Sequence, residues 1–259
     1  ANPDSMKWRE HSFQYIAGKQ GWGQDHFYQF RNDEFSGIKQ NFTSLKYEFQ
    51  PGSKTIRAEV QGSPNSETEF LKTGWYLDLS LQEYGISNGC ASITVGVVDG
   101  TSLNAWGTKY ESLNHDHDFG NENNMGGKGC KTRKRFEQYF VFRITKPEEM
   151  DSLAEFLSLA KDKIPDGHYI LAYTAMKGSF NNTTIWKQKH FDAFKNLGAL
   201  SIENVGNDNP YIFCVKKGNP SSAQEVIGQN TRDLLTMNYP IVSNGGKGEI
   251  ISPLIGPSR

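Results

Sequence analysis

Apolar residues along this chain recur mostly at period two, in short runs. Leu45-Lys46-Tyr47-Glu48-Phe49 and the stretch from Thr55 to Val60 alternate apolar with polar positions, as half-buried strands do. His26-Phe27-Tyr28-Gln29-Phe30 is a short aromatic run before the polar break Asn32-Asp33-Glu34, and Trp75-Tyr76-Leu77-Asp78-Leu79 is another strand candidate. From Gln61 to Glu69 the chain is polar, and Gly62, Ser63, Pro64, Asn65 and Ser66 predict a turn or linker. Ser92 to Asp99 reads as a central strand, and Gln138 to Ile144, Tyr169 to Tyr173 and Tyr211 to Val215 as three more. Two stretches change to the helical period. Met150, Leu153, Ala154 and Leu157 recur at i, i+3, i+4 and i+7, and Thr145 with Glu148 has capping-box spacing with Pro147 in the first turn, which predicts a helix over 147–161. A second helix ends with Phe191, Phe194 and Leu197 on its buried face and Gly198 just past its end. Ser222 with Glu225 predicts a short capped helix, and Glu249-Ile250-Ile251 a closing strand before Pro253.

Strands first, then β-α-β-α-β, predicts an α+β or mixed architecture. The expected organisation is a β-rich segment over 1–72, sandwich-like together with the C-terminal strand, a strand-and-helix module over 73–235, and a C-terminal extension over 236–259. In an alternative topology the module is inserted into the β-rich part instead of following it.

Composition narrows the function classes. The chain has 259 residues, with 28 Lys plus Arg against 29 Asp plus Glu and a net charge of −1, so no electrostatic footprint for nucleic acid or an anionic membrane is present. No apolar run approaches the roughly 18 residues of a membrane-spanning helix. Residues 1–30 lack the pattern of a signal peptide. Mean hydropathy is low at −0.64, but the 12% aromatic content argues against disorder.

Three cysteines allow at most one bridge. Cys90 and Cys130 both follow glycine in loop sequence and are the pair expected if a bridge forms, with Cys214, inside an apolar strand, as a free core thiol. Gly85-Ile86-Ser87-Asn88-Gly89 matches the pattern of a nucleophile elbow, but a strand follows where that turn needs a helix. His115-Asp116-His117-Asp118 is the densest set of candidate metal ligands, near Asn121, Glu122 and Asn123; its spacing fits neither a zinc-peptidase helix nor a calcium loop, and a solvated loop is the plainer reading. The basic run Lys131-Thr132-Arg133-Lys134-Arg135 follows it, reading as a solvated turn or as a contact for an anion or a lipopolysaccharide phosphate. Trp22, between Gly21 and Gly23, is a tryptophan packed on a sheet or one that stacks on a sugar or protein partner. Nowhere do a base, a nucleophile and an oxyanion site assemble at readable spacing.

Two resemblances add to this. Ile93-Thr94-Val95-Gly96-Val97-Val98-Asp99-Gly100, Leu153-Ala154-Glu155-Phe156-Leu157, Ile164-Pro165-Asp166-Gly167-His168-Tyr169-Ile170-Leu171, Asn196-Leu197-Gly198-Ala199 and Tyr211-Ile212-Phe213-Cys214-Val215-Lys216-Lys217-Gly218 follow one another as in the interleukin-like EMT inducer family. That resemblance implies a secreted ββα module with a mixed sheet and two to three helices. A relative in that family, the stem domain of the protein O-mannose N-acetylglucosaminyltransferase, binds a terminal sugar through an Arg, an Asp and a second Arg. The matching positions here are Ala91, Met176 and Asp208, all of which depart from that pattern. Trp8, Ser12-Phe13-Gln14-Tyr15-Ile16, Gly21-Trp22-Gly23-Gln24-Asp25-His26-Phe27, Ser221-Ser222-Ala223-Gln224-Glu225-Val226-Ile227-Gly228 and Ile251-Ser252-Pro253-Leu254-Ile255-Gly256-Pro257 resemble an internal region of large cell-surface proteins of Bacteroidetes. Those are gingipain-type cysteine peptidases or sortase-like proteins of type IX secretion, whose catalytic Cys–His pair has no matching motif here.

The resulting expectation is a non-catalytic accessory module, cut from a longer secreted or outer-surface protein. Its partners would be the rest of that polypeptide and a glycan, lipopolysaccharide or secretion-system protein, with no nucleic acid, no membrane-spanning segment and no cofactor beyond a metal at 115–118. The rival expectation is a hydrolase using Cys214 or a metal held by His115 and His117.

Overall fold

The long apolar runs pair with one another, as strands buried on two faces must. The computed structural model describes residues 35–36, 38–41, 46–49, 51–63, 72–84, 91–107, 138–158, 163–244 and 249–250. In chain order the strands are β1 (Phe35–Ser36), β2 (Ile38–Asn41), β3 (Lys46–Phe49), β4 (Ser53–Gln61), β5 (Gly74–Leu77), β6 (Ser80–Tyr84), β7 (Ser92–Val98), β8 (Phe140–Arg143), β9 (Tyr169–Ala175), β10 (Tyr211–Lys216), β11 (Asn219–Ile227), β12 (Leu234–Val242) and β13 (Glu249–Ile250). The helices are α1 (Pro147–Leu157) and α2 (Gln188–Asn196), with a 3-10 turn at Ile202–Asn204.

Two units divide the chain. Residues 53–242 form one, and residues 1–52 with 243–259 form the other. In the second, β1 pairs with β13 (Phe35 opposite Ile250) and β2 with β3 (Ile38 opposite Phe49), both antiparallel. The 72/73 boundary expected from sequence falls between β4 and β5, which are hydrogen-bonded neighbours, and the 235/236 boundary falls inside β12.

The 53–242 unit contains a five-stranded sheet, order β11-β10-β9-β7-β8, and a four-stranded sheet, order β12-β4-β5-β6. Every pairing is antiparallel, which corrects the expected mixed sheet. The physical reason lies in the crossover. β8 and β9 run in the same direction, joined through α1, but β7 lies between them and pairs antiparallel with both. The connection of a βαβ unit is present without a parallel ladder.

β7, β9 and all of β10 but Lys216 are buried along their length. One face of this sheet (Ile93, Val95, Val97, Ile170, Phe213) packs with Met150, Leu153, Phe156 and Leu157 of α1 and with Ala193 and Phe194 of α2. Residues of the other face (Val98, Leu171, Tyr173, Ile212, Cys214) share a core with the inward positions of the four-stranded sheet: Ile56, Ala58, Val60, Trp75, Leu77, Leu235, Met237, Tyr239 and Ile241. The helices are tied together by His190. Its Nδ1 accepts from the Lys187 N–H at 3.1 Å, so Nε2–H donates to Asp151 Oδ1 at 2.9 Å. The Lys189 ammonium, followed by His190, holds the Asp151 carboxyl down at about 2.

Several local expectations change. α1 ends at Leu157, its N-cap is Lys146, and no side-chain cap forms; Glu149 turns back to accept from Arg143 N–H at 2.7 Å and Nε–H at 2.6 Å. The Ser222–Glu225 pair does not cap a helix, because residues 219–227 are β11. Lys217 and Gly218 (φ +83) make a two-residue hairpin turn that returns the chain along β10, as such loops favour. Ser222 Oγ then accepts from the Lys216 N–H, and Glu225 accepts from the Tyr211 hydroxyl and from the Leu200 and Ser201 N–H groups. β12 was not expected from sequence, although Leu235, Met237, Tyr239 and Ile241 alternate along it. Pro240 masks the pattern and is tolerated because β12 is an edge strand of its sheet.

A Cβ on Gly96 would lie 3.0 Å from Cε2 and Cζ2 of Trp75, so the indole rests on bare β7 backbone. Gly96→Ala is expected to destabilise the unit by about 1–3 kcal/mol through overpacking, read as a lower urea midpoint at constant m-value. An unchanged midpoint would mean that the ring does not rest there.

Candidate functional site

With both faces of the five-stranded sheet covered, its polar chemistry collects at the strand ends. At one end, β9 stops at Ala175, which is paired with Ser92 at the start of β7, and β10 begins at Tyr211. Ala91, Met176 and Asp208, singled out from sequence, therefore come to the same end of the sheet.

Two loops there are held in unusual backbone conformations. Met176 (φ 64), Ser179 (φ 47) and Asp208 (φ 59) all occupy the left-handed region, which is costly for residues with a Cβ and needs support from the surroundings. The support is visible. Trp186 Nε1–H donates to Gly178 O at 2.9 Å, and the indole stacks on Phe180 (4.8 Å) and on Phe191 (5.0 Å). Gly178 has no room for a side chain, since a Cβ would meet Phe180 at 2.2 Å. Across from it, the 206–210 turn is held by Asn209 Nδ2–H donating to Gly228 O at 2.8 Å, and Gly62 packs so closely that a Cβ would lie 2.8 Å from Asp208 O.

The two loops meet at one carboxylate. Asp208 Oδ1 accepts from the Ser179 N–H and hydroxyl, each at 3.3 Å, and Oδ2 lies 3.5 Å from Lys177 Nζ. The Lys177 side chain is 60% exposed and that of Asp208 18%. Sequence reading named Asp208 and Met176 but missed Lys177 and Ser179, whose neighbours carry no motif. The arrangement offers an exposed ammonium, a positioned carboxylate and a hydroxyl, a set suited to hydrogen-bonding a polyhydroxylated or charged ligand.

At the opposite end of the sheet lies a second polar pair, also missed from sequence. His168, just before β9, places Nε2 3.1 Å from Asp99 Oδ2, just after β7. Asp99 Oδ1 accepts from the N–H groups of Thr101 (2.8 Å) and Ser102 (2.7 Å) and from the Ser102 hydroxyl (3.1 Å). Burial raises the Asp99 carboxyl, but these donors and His168 bring it below the usual aspartate value. Burial, the largest influence, lowers His168, Asp99 raises it and the Lys217 charge lowers it again, so that its pKa falls below the usual histidine value. The ring packs edge-on against Trp106, with centroids 5.3 Å apart.

Cys214 is fully buried, and burial drives its thiol far above the ordinary range. A thiol in that state stays protonated at neutral pH, whereas a nucleophile must be a thiolate. Trp22, the metal candidates His115, Asp116, His117 and Asp118, and the disulfide candidates Cys90 and Cys130 lie outside the described residues. Among the described residues, no three His, Cys, Asp or Glu side chains converge as a metal site. No family model matches the sequence, and no curated protein shows significant similarity to it.

Two expected outcomes follow from this geometry. Alkylation of the native chain, followed by peptide mapping, should leave Cys214 unmodified, and unfolding in urea should make it reactive; rapid native labelling would contradict the sealed-core geometry. The second outcome concerns His168. Its folded-state pKa is lowered, so below about 6.5, the usual histidine value, the unfolded chain binds more protons than the folded one. Stability is then full above that pH and falls as the pH drops toward the folded-state value. In urea titrations across pH 7.5–5, His168→Gln should flatten that slope relative to the parent chain; an unchanged slope would remove His168 as its source.

Proposed function

We propose that this chain is a non-catalytic binding module of a secreted or outer-surface protein, and that its contact point is the Lys177–Ser179–Asp208 end of the five-stranded sheet. The observation that carries the reading is the meeting of two loops with left-handed, non-glycine residues (Met176, Ser179 and Asp208) at the Asp208 carboxylate, which bonds Ser179 and lies beside the exposed Lys177 ammonium. Backbone strain of this kind persists where a fixed constellation is useful, and an aromatic stack beneath one loop and tight glycine packing behind the other maintain it.

The ligand class that suits the set is a glycan, free or as part of lipopolysaccharide. The carboxylate accepts from sugar hydroxyls, and Lys177 donates to hydroxyl, carboxylate or phosphate oxygens. The segment resemblances noted from sequence support an accessory role beside a peptidase of the gingipain type. Lys177 supplies a cation that the positions matched to the sugar-binding relative lack. Cys214, sealed in the core, speaks against a cysteine-based hydrolase.

Titration of the full chain with a panel of bacterial and host glycans and with lipopolysaccharide, by calorimetry or surface binding, tests the reading. Lys177→Ala and Asp208→Asn are the diagnostic variants, because asparagine tolerates the left-handed backbone while losing the charge. Each is expected to weaken binding about tenfold or more, with the melting temperature held near that of the parent. A folded chain that binds none of these ligands, or one whose binding is indifferent to both substitutions, would refute the assignment.

A further inference from the structure

β7 presents two chemically different faces. Ile93, Val95 and Val97 point into the core beneath the helices. By the alternation of a strand, Ser92 and Thr94 share the other face with Gly96 and Val98, toward the four-stranded sheet. Gly96 fixes that direction, because Trp75 of the facing sheet rests against it. Ser92, Thr94 and Trp75 are completely buried.

None of the three polar groups they bring has a hydrogen-bond partner among the described residues: the Ser92 hydroxyl, the Thr94 hydroxyl and the Trp75 indole N–H. The other buried polar residues behave differently. Gln61 and Thr73 bond each other, Thr174 accepts from Tyr211 N–H, His190 bonds Asp151, and Lys217 donates to Ser158 O. Gln82 Oε1 and His168 Nδ1 are also buried without a partner among the described residues, but the Ser92, Thr94 and Trp75 groups are set apart by sharing one layer. Trp75 Cε2, the carbon bonded to Nε1, lies 3.0 Å from where a Gly96 Cβ would be, and Thr94 is the next residue on that face. A buried donor without a partner forfeits its hydration and gains nothing, so native structures satisfy such groups with protein or with ordered water.

We propose that internal water occupies this layer between the two sheets, in contact with Thr94 Oγ1 and Trp75 Nε1–H and, one strand repeat further along the same face, with Ser92 Oγ. The chemistry selects water over an ion. The indole can only donate and the hydroxyls donate and accept, a set that suits water, and Ile56, Ala58, Val98 and Leu171 of the same core are apolar. Ser92 pairs with Ala175, so the water lies just inside the strand ends that carry Ala91 and Met176. The inference stands independently of the proposed ligand.

The experiment uses the full chain with its five tryptophans carrying 15N in the indole. The Trp75 signal, assigned by Trp75→Phe, is expected to show cross-relaxation with long-lived water, and Thr94→Val should weaken it. In urea titrations Thr94→Val should lower the folded-to-unfolded ratio about fivefold, the typical worth of one hydrogen bond. Ser92→Ala, which removes a single oxygen, should change it in the same direction. In a dry layer the signs reverse, because valine relieves an orphaned hydroxyl. Absence of water cross-relaxation at the Trp75 indole of the folded chain, or a ratio that stays constant or rises in both variants, would overturn the proposal.

Discussion

Burial of β7, β9 and β10 on both faces is the constraint on which the 53–242 unit depends. Each of these strands must satisfy two cores at once, one against α1 and α2 and one against the four-stranded sheet. That requirement explains why the runs Ser92–Val98, Tyr169–Ala175 and Tyr211–Val215 carry so few polar side chains. It also explains the bare backbone at Gly96, the one place where the facing sheet's largest side chain can approach the middle of β7. Loss of such an approach would disturb both sheets, because the indole and the strand belong to different ones.

The same constraint places the chemistry. Charged side chains cannot be paired cheaply inside a layer closed on both faces, so they gather where the strands end. At one end Asp99 and His168 close the turns around Leu103 and Pro165. At the other, Asp208 joins the loop after β9 to the turn before β10. The two ends differ in kind. The Asp99 carboxylate is saturated by its own turn and clamps an imidazole that is mostly withdrawn from water. Asp208, itself less exposed than Asp99, has its Oδ2 beside an exposed lysine, on left-handed backbone supported by a stack of aromatic rings and close-packed glycines.

The edges of the sheets follow from sequence features that are easy to misread. Ser222 and Glu225 have the spacing of a helix cap, yet that spacing also serves an edge strand whose serine accepts from a β10 N–H and whose glutamate gathers the Tyr211 hydroxyl and two N–H groups. The deciding feature lies upstream, at Lys217-Gly218. A two-residue turn with glycine in the left-handed region forces the chain to double back, and a helix cannot begin while it is still paired. β12 is concealed in a similar way by Pro240, which a central strand would not accept and an edge strand does.

By itself, the sequence determined most of the strands that run apolar, the start of α1, the end of α2 with the glycine that closes it and the burial of Cys214, because periodicity and turn chemistry are local properties. It did not determine that β7 would part β8 from β9, that β12 would return to β4, or that Lys177, Ser179 and Asp208 would share one carboxylate. Those depend on contacts between residues far apart in the chain. Lys177 and Ser179 carry no motif, and only the antiparallel return of β9 against β10 brings them beside Asp208. Asp99 and His168 likewise sit in unremarkable turns until β7 and β9 bring those turns together. Local free energy selects the elements, whereas the need to bury both faces of one sheet selects which of their ends meet.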